Sequence, residues 1–382
     1  MKEIKLKLLK TGNKILLYFP KEFRLTSKYK KGEIVRITFR KGNNSSYLIT
    51  KFNHIITIKK EVLSELGVKD DREIILRIDD FFPIKKSNKL FYKDKIDLSF
   101  FVPEKTKKGS RVYCEECLIN KNFFIRLTSI HLRGSSRQIL LNRFVNPNIF
   151  GKLLGQIQAE GTKTNQDIVE FCNKNLSELR DFVNFLLEIG VNKENIYVKI
   201  DYDSYFKSQL PEIISKFKNF VGLNVNYLVS SDRGIRGYGF KIIVRNTILS
   251  ELILNSLNQM KYYLEKFDWD DNLTTFSEGY LSKLFCGDGT FEITSINRKR
   301  VQSRVKIYDG NVEYLRHYSI ILKKFGFCPH IKEKQIFVRA MCNTSLAKRL
   351  LEIGAFDNNE NKKRIISFIQ NNEATSKKSV AL

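Results

Sequence analysis

No run of about 18 consecutive apolar residues occurs in this sequence, which excludes an ordinary membrane-spanning helix. No Arg/Lys-flanked amphipathic helix stands alone to hold the chain on a membrane surface either. The opening MKEIKLKLLKTGNK sets lysines between apolar positions and lacks the apolar core and small-residue cleavage site of a secretory leader. A cytoplasmic protein is therefore expected. Cysteines are few: Cys114, Cys117, Cys172, Cys286, Cys328 and Cys342 are scattered, which argues against a disulfide framework and for a reduced environment. The 4 histidines form no cluster, which argues against a histidine-based nuclease motif, and no glycine-rich loop ending in GK[ST] is present for nucleotide hydrolysis. Acidic residues are the telling shortage. Against 67 Lys+Arg stand 41 Asp+Glu, a formal net charge of +26, so the chain repels itself unless a polyanion lies nearby. Nucleic acid is the expected partner.

What is present is globular: 42% hydrophobic residues, 28% charged residues and only 6 prolines. A repeat opens the chain. ILLYFPKEFRLTSKYKKGEIVRITF begins at Ile15 and IITIKKEVLSELGVKDDREIILRI at Ile55, each reading as strand, short helix, polar turn and strand. The two copies, with their PKEF and KKEV steps, resemble the swapped-hairpin AbrB-like DNA-binding domains. That resemblance covers roughly residues 1–82 and implies a small β-rich barrel in which both units lie in one chain. Residues 83–146 read as a linking β-subdomain. Within it Cys114 and Cys117 have zinc-knuckle spacing, but no second CxxC or HxxxH follows, so a reduced β-turn pair is expected and zinc is the alternative.

From Pro147, suited to the first turn of a helix, the same order of helix and strands runs twice, over 147–265 and 266–370, followed by a polar tail, 371–382, expected to fray. Gly151, Gly155 and Ala159 form one stripe on the first helix, which ends at Glu160 and Gly161. Gly279, Lys283 and Gly287 form the matching stripe on a second helix, which ends at Asp288 and Gly289. Small residues let backbones approach, so packing the stripes together would bring the two acids to one end. Paired carboxylates repel unless a hard cation joins them, and oxygen ligands with open positions suit Mg²⁺ or Mn²⁺.

These segments, LLGQIQAEG at 153–161 and LSKLFCGDG at 281–289, resemble the two motifs of single-chain LAGLIDADG homing endonucleases. The resemblance implies an α+β fold: a pseudo-two-fold duplicated αββαββα-type core with saddle-shaped antiparallel sheets over DNA, preceded by the small β-rich N-terminal domain. It implies a monomer that cuts double-stranded DNA, with Glu160 and Asp288 as catalytic and metal-binding acids. Lys241 and Lys334 are the basic candidates beside them. A DNA-binding transcription regulator without cleavage, or a maturase acting on structured RNA, would use the same frame. Lys283 departs from the pattern, and in a helix seam it is expected either to spread the helices or to snorkel outward. Gln158 and Cys286 stand where the family often has an acid. The closing VAL, in place of a His-Asn splice junction, fits a free-standing or intron-encoded member.

In VQSRVKIYD, Gln302, Arg304 and Lys306 alternate with Val301, Val305 and Ile307, the pattern of a strand with long donors on one face. Arg298, Lys299 and Arg300 in the preceding turn, and Arg233 and Arg236 in the loop SDRGIR, are the further DNA-contact candidates.

Overall fold

The computed structural model describes every residue except 1–2, 12–13, 22–28, 59, 69–72, 81–83, 85, 131–135, 162–166, 231–236, 297–299, 358–359 and 381–382. The chain is mixed α+β and divides into two compact units. The first comprises Met1–Lys85, Glu104–Cys117 and Arg126–Ile139; the second comprises Lys86–Pro103, Leu118–Ile125 and Leu140–Leu382.

Alternation builds the first unit. In β3 (Ile34–Lys41), Val35, Ile37 and Phe39 are fully buried while the residues between them are not. With β1 (Ile4–Thr11), β2 (Lys14–Tyr18), β4 (Asn44–Lys51), β5 (Ile55–Ile58), the short helix α1 (Lys60–Glu65) and β6 (Glu73–Asp80), it forms a six-stranded sheet in the order β4-β3-β6-β1-β2-β5. The two sequence copies pair with each other: Leu17 lies opposite Ile56, and Ile37 opposite Ile78. β1 serves both halves, with Ile4–Lys7 on β6 and Leu8–Thr11 on β2. The KKEV step of the second copy opens α1; of its PKEF counterpart, Glu22 and Phe23 lie outside the described residues.

Residues 83–146 hold β7 (Phe91–Tyr92), β8 (Lys95–Asp97), β9 (Arg111–Ile119), β10 (Asn122–Ile130), β11 (Ser136–Asn142) and β12 (Phe144–Val145), and their segments are divided between the two units. The CEEC pair lies within β9 and not in a turn. Residues three apart on a strand face opposite ways. Cys114 is buried, and the Cys117 Sγ lies 2.7 Å from the Tyr47 hydroxyl, so the two thiols do not form a zinc pair.

The second unit begins where Asn146 caps α2 (Pro147–Glu160), its side chain accepting from the Asn148 and Ile149 amides. There follow β13 (Val169–Asn173), α3 (Leu176–Glu188), β14 (Ile196–Tyr202), α4 (Leu210–Val221), β15 (Tyr227–Ser230), β16 (Tyr238–Val244) and α5 (Thr247–Lys266). After α6 (Asp271–Asp288) come β17 (Gly289–Ile296), β18 (Arg300–Tyr308), α7 (Val312–Lys324), β19 (Pro329–Lys332), β20 (Phe337–Met341), α8 (Thr344–Glu352) and α9 (Glu360–Val380). Two four-stranded sheets result, ordered β13-β16-β14-β15 and β17-β18-β20-β19.

One pairing corrects the antiparallel expectation: β15 runs parallel to β14. A parallel neighbour needs a crossover, and the segment containing α4 supplies it. A second correction concerns the C-terminus. In place of a frayed tail from 371, α9 continues to Val380, anchored earlier in the helix by buried Ile365, Phe368 and Ile369. The Phe368 ring lies 5.8 Å from that of Phe291. No described helix is long and apolar enough to cross a membrane.

Candidate active site

The glycine stripes pack backbone on backbone. A Cβ built on Gly151 would fall 2.2 Å from the Phe276 carbonyl oxygen, and one on Gly279 would fall 2.2 Å from that of Asn148. The offset between the motifs is 128 (288 − 160), so Gly151 corresponds to Gly279 and Asn148 to Phe276. Each contact is thus the mirror of the other, the reciprocity that a local two-fold relation between α2 and α6 produces. Further along, a Cβ on Gly155 would meet the Tyr280 carbonyl oxygen at 2.4 Å, and one on Gly287 would meet the Ala159 Cβ at 2.6 Å. The flanking Phe150, Leu153, Leu154, Leu281, Leu284 and Phe285 are fully buried.

This seam carries the acids to one end. The Glu160 Oε1 would lie 3.5 Å from a Cβ on Gly287, the residue before Asp288. Burial pushes the Glu160 pKa up to about 7, the charges of Asp288 and Glu178 push in the same direction, and a hydrogen bond from Asn173 opposes them. The Asn173 Nδ2 donates to the Glu160 Oε2 at 2.5 Å. Two hard carboxylates that raise each other's cost of ionisation fit a divalent cation with open positions. Among the described residues no group of three or more His, Cys, Asp or Glu converges as a metal cage. Further ligands at the acid pair would be water or a partner's oxygens.

The raised pKa predicts a pH dependence of stability. The ordinary carboxyl value is 4.5, so the protonated folded form is favoured, and this contribution is complete below about 4.5 and lost as pH rises through about 7. Glu160→Gln is expected to flatten the decline in melting temperature over that window. Mg²⁺ added at pH 8 should stabilise the native protein and not the variant. Parallel melts with the same slope in both proteins would contradict the assignment.

Lys283 neither spreads the helices nor reaches outward. It is 5% exposed, and its Nζ donates to Glu178 Oε1 and Oε2 at 3.1 and 3.0 Å and to Asp181 Oδ2 at 2.7 Å. Gln156 Nε2 also donates to Glu178 Oε2, at 2.7 Å. Burial works against the ammonium, but the surrounding carboxylates outweigh it and raise its pKa. Lys283 therefore leans across to α3, and the seam stays closed at Gly155. Gln158 is buried too, donating to the Tyr318 hydroxyl at 2.9 Å, which donates to Asp309 at 2.9 Å.

Lys241 lies on β16, beside Cys172 and Lys199 in the rows of the sheet, with ion pairs to Glu170 at 3.7 Å and Asp201 at 3.4 Å. Lys334 is not its counterpart. It occupies a turn of 3₁₀ helix, Glu333–Gln335, between β19 and β20, rather than a strand. The bridge Gly161 to Phe171 matches the pair Gly289 to Ile307, and Ile242 beside Phe171 therefore matches Val338 beside Ile307. The position equivalent to Lys241 is then Phe337, over whose ring the Lys306 Nζ sits at 4.7 Å.

On β18 the predicted alternation holds: Ser303, Val305 and Ile307 are buried, while Gln302, Arg304 and Lys306 are half-buried on the other face. Arg304 donates to Gln302 at 3.3 Å, and Lys306 pairs with Glu292 at 2.6 Å. Arg300 opens the strand; Arg233, Arg236, Arg298 and Lys299 lie outside the described residues.

Sequence reasoning missed Asn173 and Asp309, which end β13 and precede the cap of α7. Asn173 accepts from the Asn175 amide at 2.9 Å, and Asp309 from the Asn311 amide at 2.8 Å; Asn175 and Asn311 then cap α3 and α7. The visible signal was an Asx-x-Asn step before each amphipathic run. Asp309 and Asp288 both act on Tyr280, whose pKa burial raises and whose charged neighbours raise further. No protein-family model matches the chain, and no curated protein matches it.

Proposed function

We propose that the protein is a metal-dependent endonuclease of double-stranded DNA, of the LAGLIDADG type, with two repeats joined in one chain. The observation that carries this reading is the reciprocal glycine contact between α2 and α6, which delivers Glu160 to the end of the helix that finishes in Asp288. An ordinary helix crossing has no reason to repeat its contacts at an offset of 128 and to end both helices in an acid. With α4 and β15 set aside and only the Gly161 bridge answering to β17, the elements β13, α3, β14, β16 and α5 follow α2 in the order in which β18, α7, β19, β20 and α8 follow α6; this order and the matched Asx-x-Asn caps support a duplication.

Glu160 and Asp288 would hold the cation, which, when bound, neutralises phosphate charge and lowers the pKa of a bound water. The chain's own residues do the rest. Asn173 orients the Glu160 carboxylate by its hydrogen bond, and Gln158, from the same helix as Glu160, is tied through the Tyr318 hydroxyl to Asp309. The donors of β18 supply contacts to base edges and phosphates. The closed seam at Lys283 favours this reading over a regulator in which the acids are held apart.

Asp288→Asn tests the reading. It removes a charge facing phosphate, so cleavage of duplex DNA with Mg²⁺ is expected to fall below detection while binding is kept or tightened. Joint loss of binding and cleavage in a folded variant would remove Asp288 from this role.

A further inference from the structure

The outward faces of the two sheets differ in how their cations are held. On the first, Cys172, Lys241, Lys199 and Tyr227 lie side by side across β13, β16, β14 and β15. Both lysines are committed within the sheet: Lys199 pairs with Asp201 at 2.8 Å, Lys241 with Asp201 at 3.4 Å, and Lys241 with Glu170 at 3.7 Å. Four side chains thus form one continuous ladder, Glu170–Lys241–Asp201–Lys199. Each is partly exposed and on the face away from the buried Phe171, Val198, Ile200 and Ile242.

On the second sheet, Lys306 pairs with Glu292, but none of Arg304, Lys332 and Arg339 forms an ion pair among the described residues. The strand rows place Arg339 beside Lys306. Counting these outward charges, the second sheet carries four cations against one anion, and the ladder two against two. A polyanion would meet ready donors on one sheet and a neutralised surface on the other.

Resting on the reading of the protein as a duplex-DNA endonuclease, we infer that this ladder is a discrimination device that withholds Lys199 and Lys241 from DNA of the wrong sequence. Non-specific affinity comes from cations that release counterions from phosphates. Lysines already paired with carboxylates gain little from a phosphate, because the exchange leaves Asp201 and Glu170 facing the anionic backbone unpartnered. The exchange becomes favourable only where the major groove presents base amino groups, cytosine N4 or adenine N6, from which those carboxylates accept. The first sheet then contributes selectivity with little indiscriminate binding, and the second sheet contributes most of the salt-sensitive affinity.

The test measures binding of the full chain to a random-sequence duplex and to duplexes selected by the native protein, over a range of KCl concentrations. Glu170→Gln with Asp201→Asn frees both lysines. It is expected to tighten random-duplex binding about tenfold near 0.1 M salt and to steepen the salt slope by about one to two. The preference for selected over random duplex should fall. Glu360→Gln with Glu373→Gln, which removes the same charge from α9, is expected to change random-duplex affinity less than about twofold. Each single substitution in the ladder should show part of the effect, which guards against a poorly folded double variant. Ladder variants that bind random duplex no more tightly than the α9 control overturn the inference. A native protein that binds no duplex at any salt overturns the endonuclease reading as well, a separate and recognisable result.

Discussion

Gly151→Ala is expected to destabilise the second unit by about 3 kcal/mol or more, at the upper end of the cost of forcing extra atoms into a packed core. The added methyl group would fall 2.2 Å from the Phe276 carbonyl oxygen and 3.0 Å from the Tyr280 amide nitrogen, both of them backbone atoms. No rotamer relieves such a contact. The helices would have to part, which would also separate Glu160 from Asp288, so activity should fall with stability. Gly310→Ala provides the control, because a Cβ there meets nothing within 4 Å. Denaturant unfolding of the two variants checks the claim. Equal stability of Gly151→Ala and the native protein would mean that α2 and α6 do not touch as described.

Lys283→Met has an expected cost of similar size for a different reason. It retains most of the buried stem and removes the ammonium, leaving Glu178, 6% exposed, and its neighbour Asp181 without their shared cation. Taking one partner from a buried ion pair costs about 3–5 kcal/mol, chiefly through the charge left behind. Adding Glu178→Gln to Lys283→Met should therefore recover a large part of the loss, and a double-mutant cycle measures the coupling. Additive losses would show that the carboxylates do not need the lysine.

Much of the second unit was legible in the sequence because its signals are local. Small residues at four-residue spacing, followed by an acid and a glycine, specify a close helix contact that ends at a charge, and both copies say the same. The alternation in β18 is equally local. Lys283 misled because a single chain position does not reveal what faces it. Glu178 and Asp181 come from α3, more than 100 positions away, and turn a disruptive charge into a satisfied one.

The place of Lys334 in a turn of 3₁₀ helix ahead of β20 was not legible in the sequence, because nothing in the alternation of EKQIFV marks where the strand begins. The turn is set instead by Ile336, which adopts a left-handed φ of 51° at the end of the 3₁₀ segment. β15 escaped notice because four exposed residues, Tyr227–Ser230, carry no burial pattern. The reach of α9 to Val380 was equally hidden, since a polar sequence with helix-forming residues reads as a tail until its first turns find a core.

The most direct test of the acid pair is a nicking and cleavage assay on a randomised duplex library with Mg²⁺ or Mn²⁺, run with the native protein and Glu160→Gln and with binding scored on the same samples. The account predicts cuts that require the metal, vanish in the variant and leave its binding intact. Cuts that persist in Glu160→Gln, or binding by the native protein with no cuts under either metal, would contradict it.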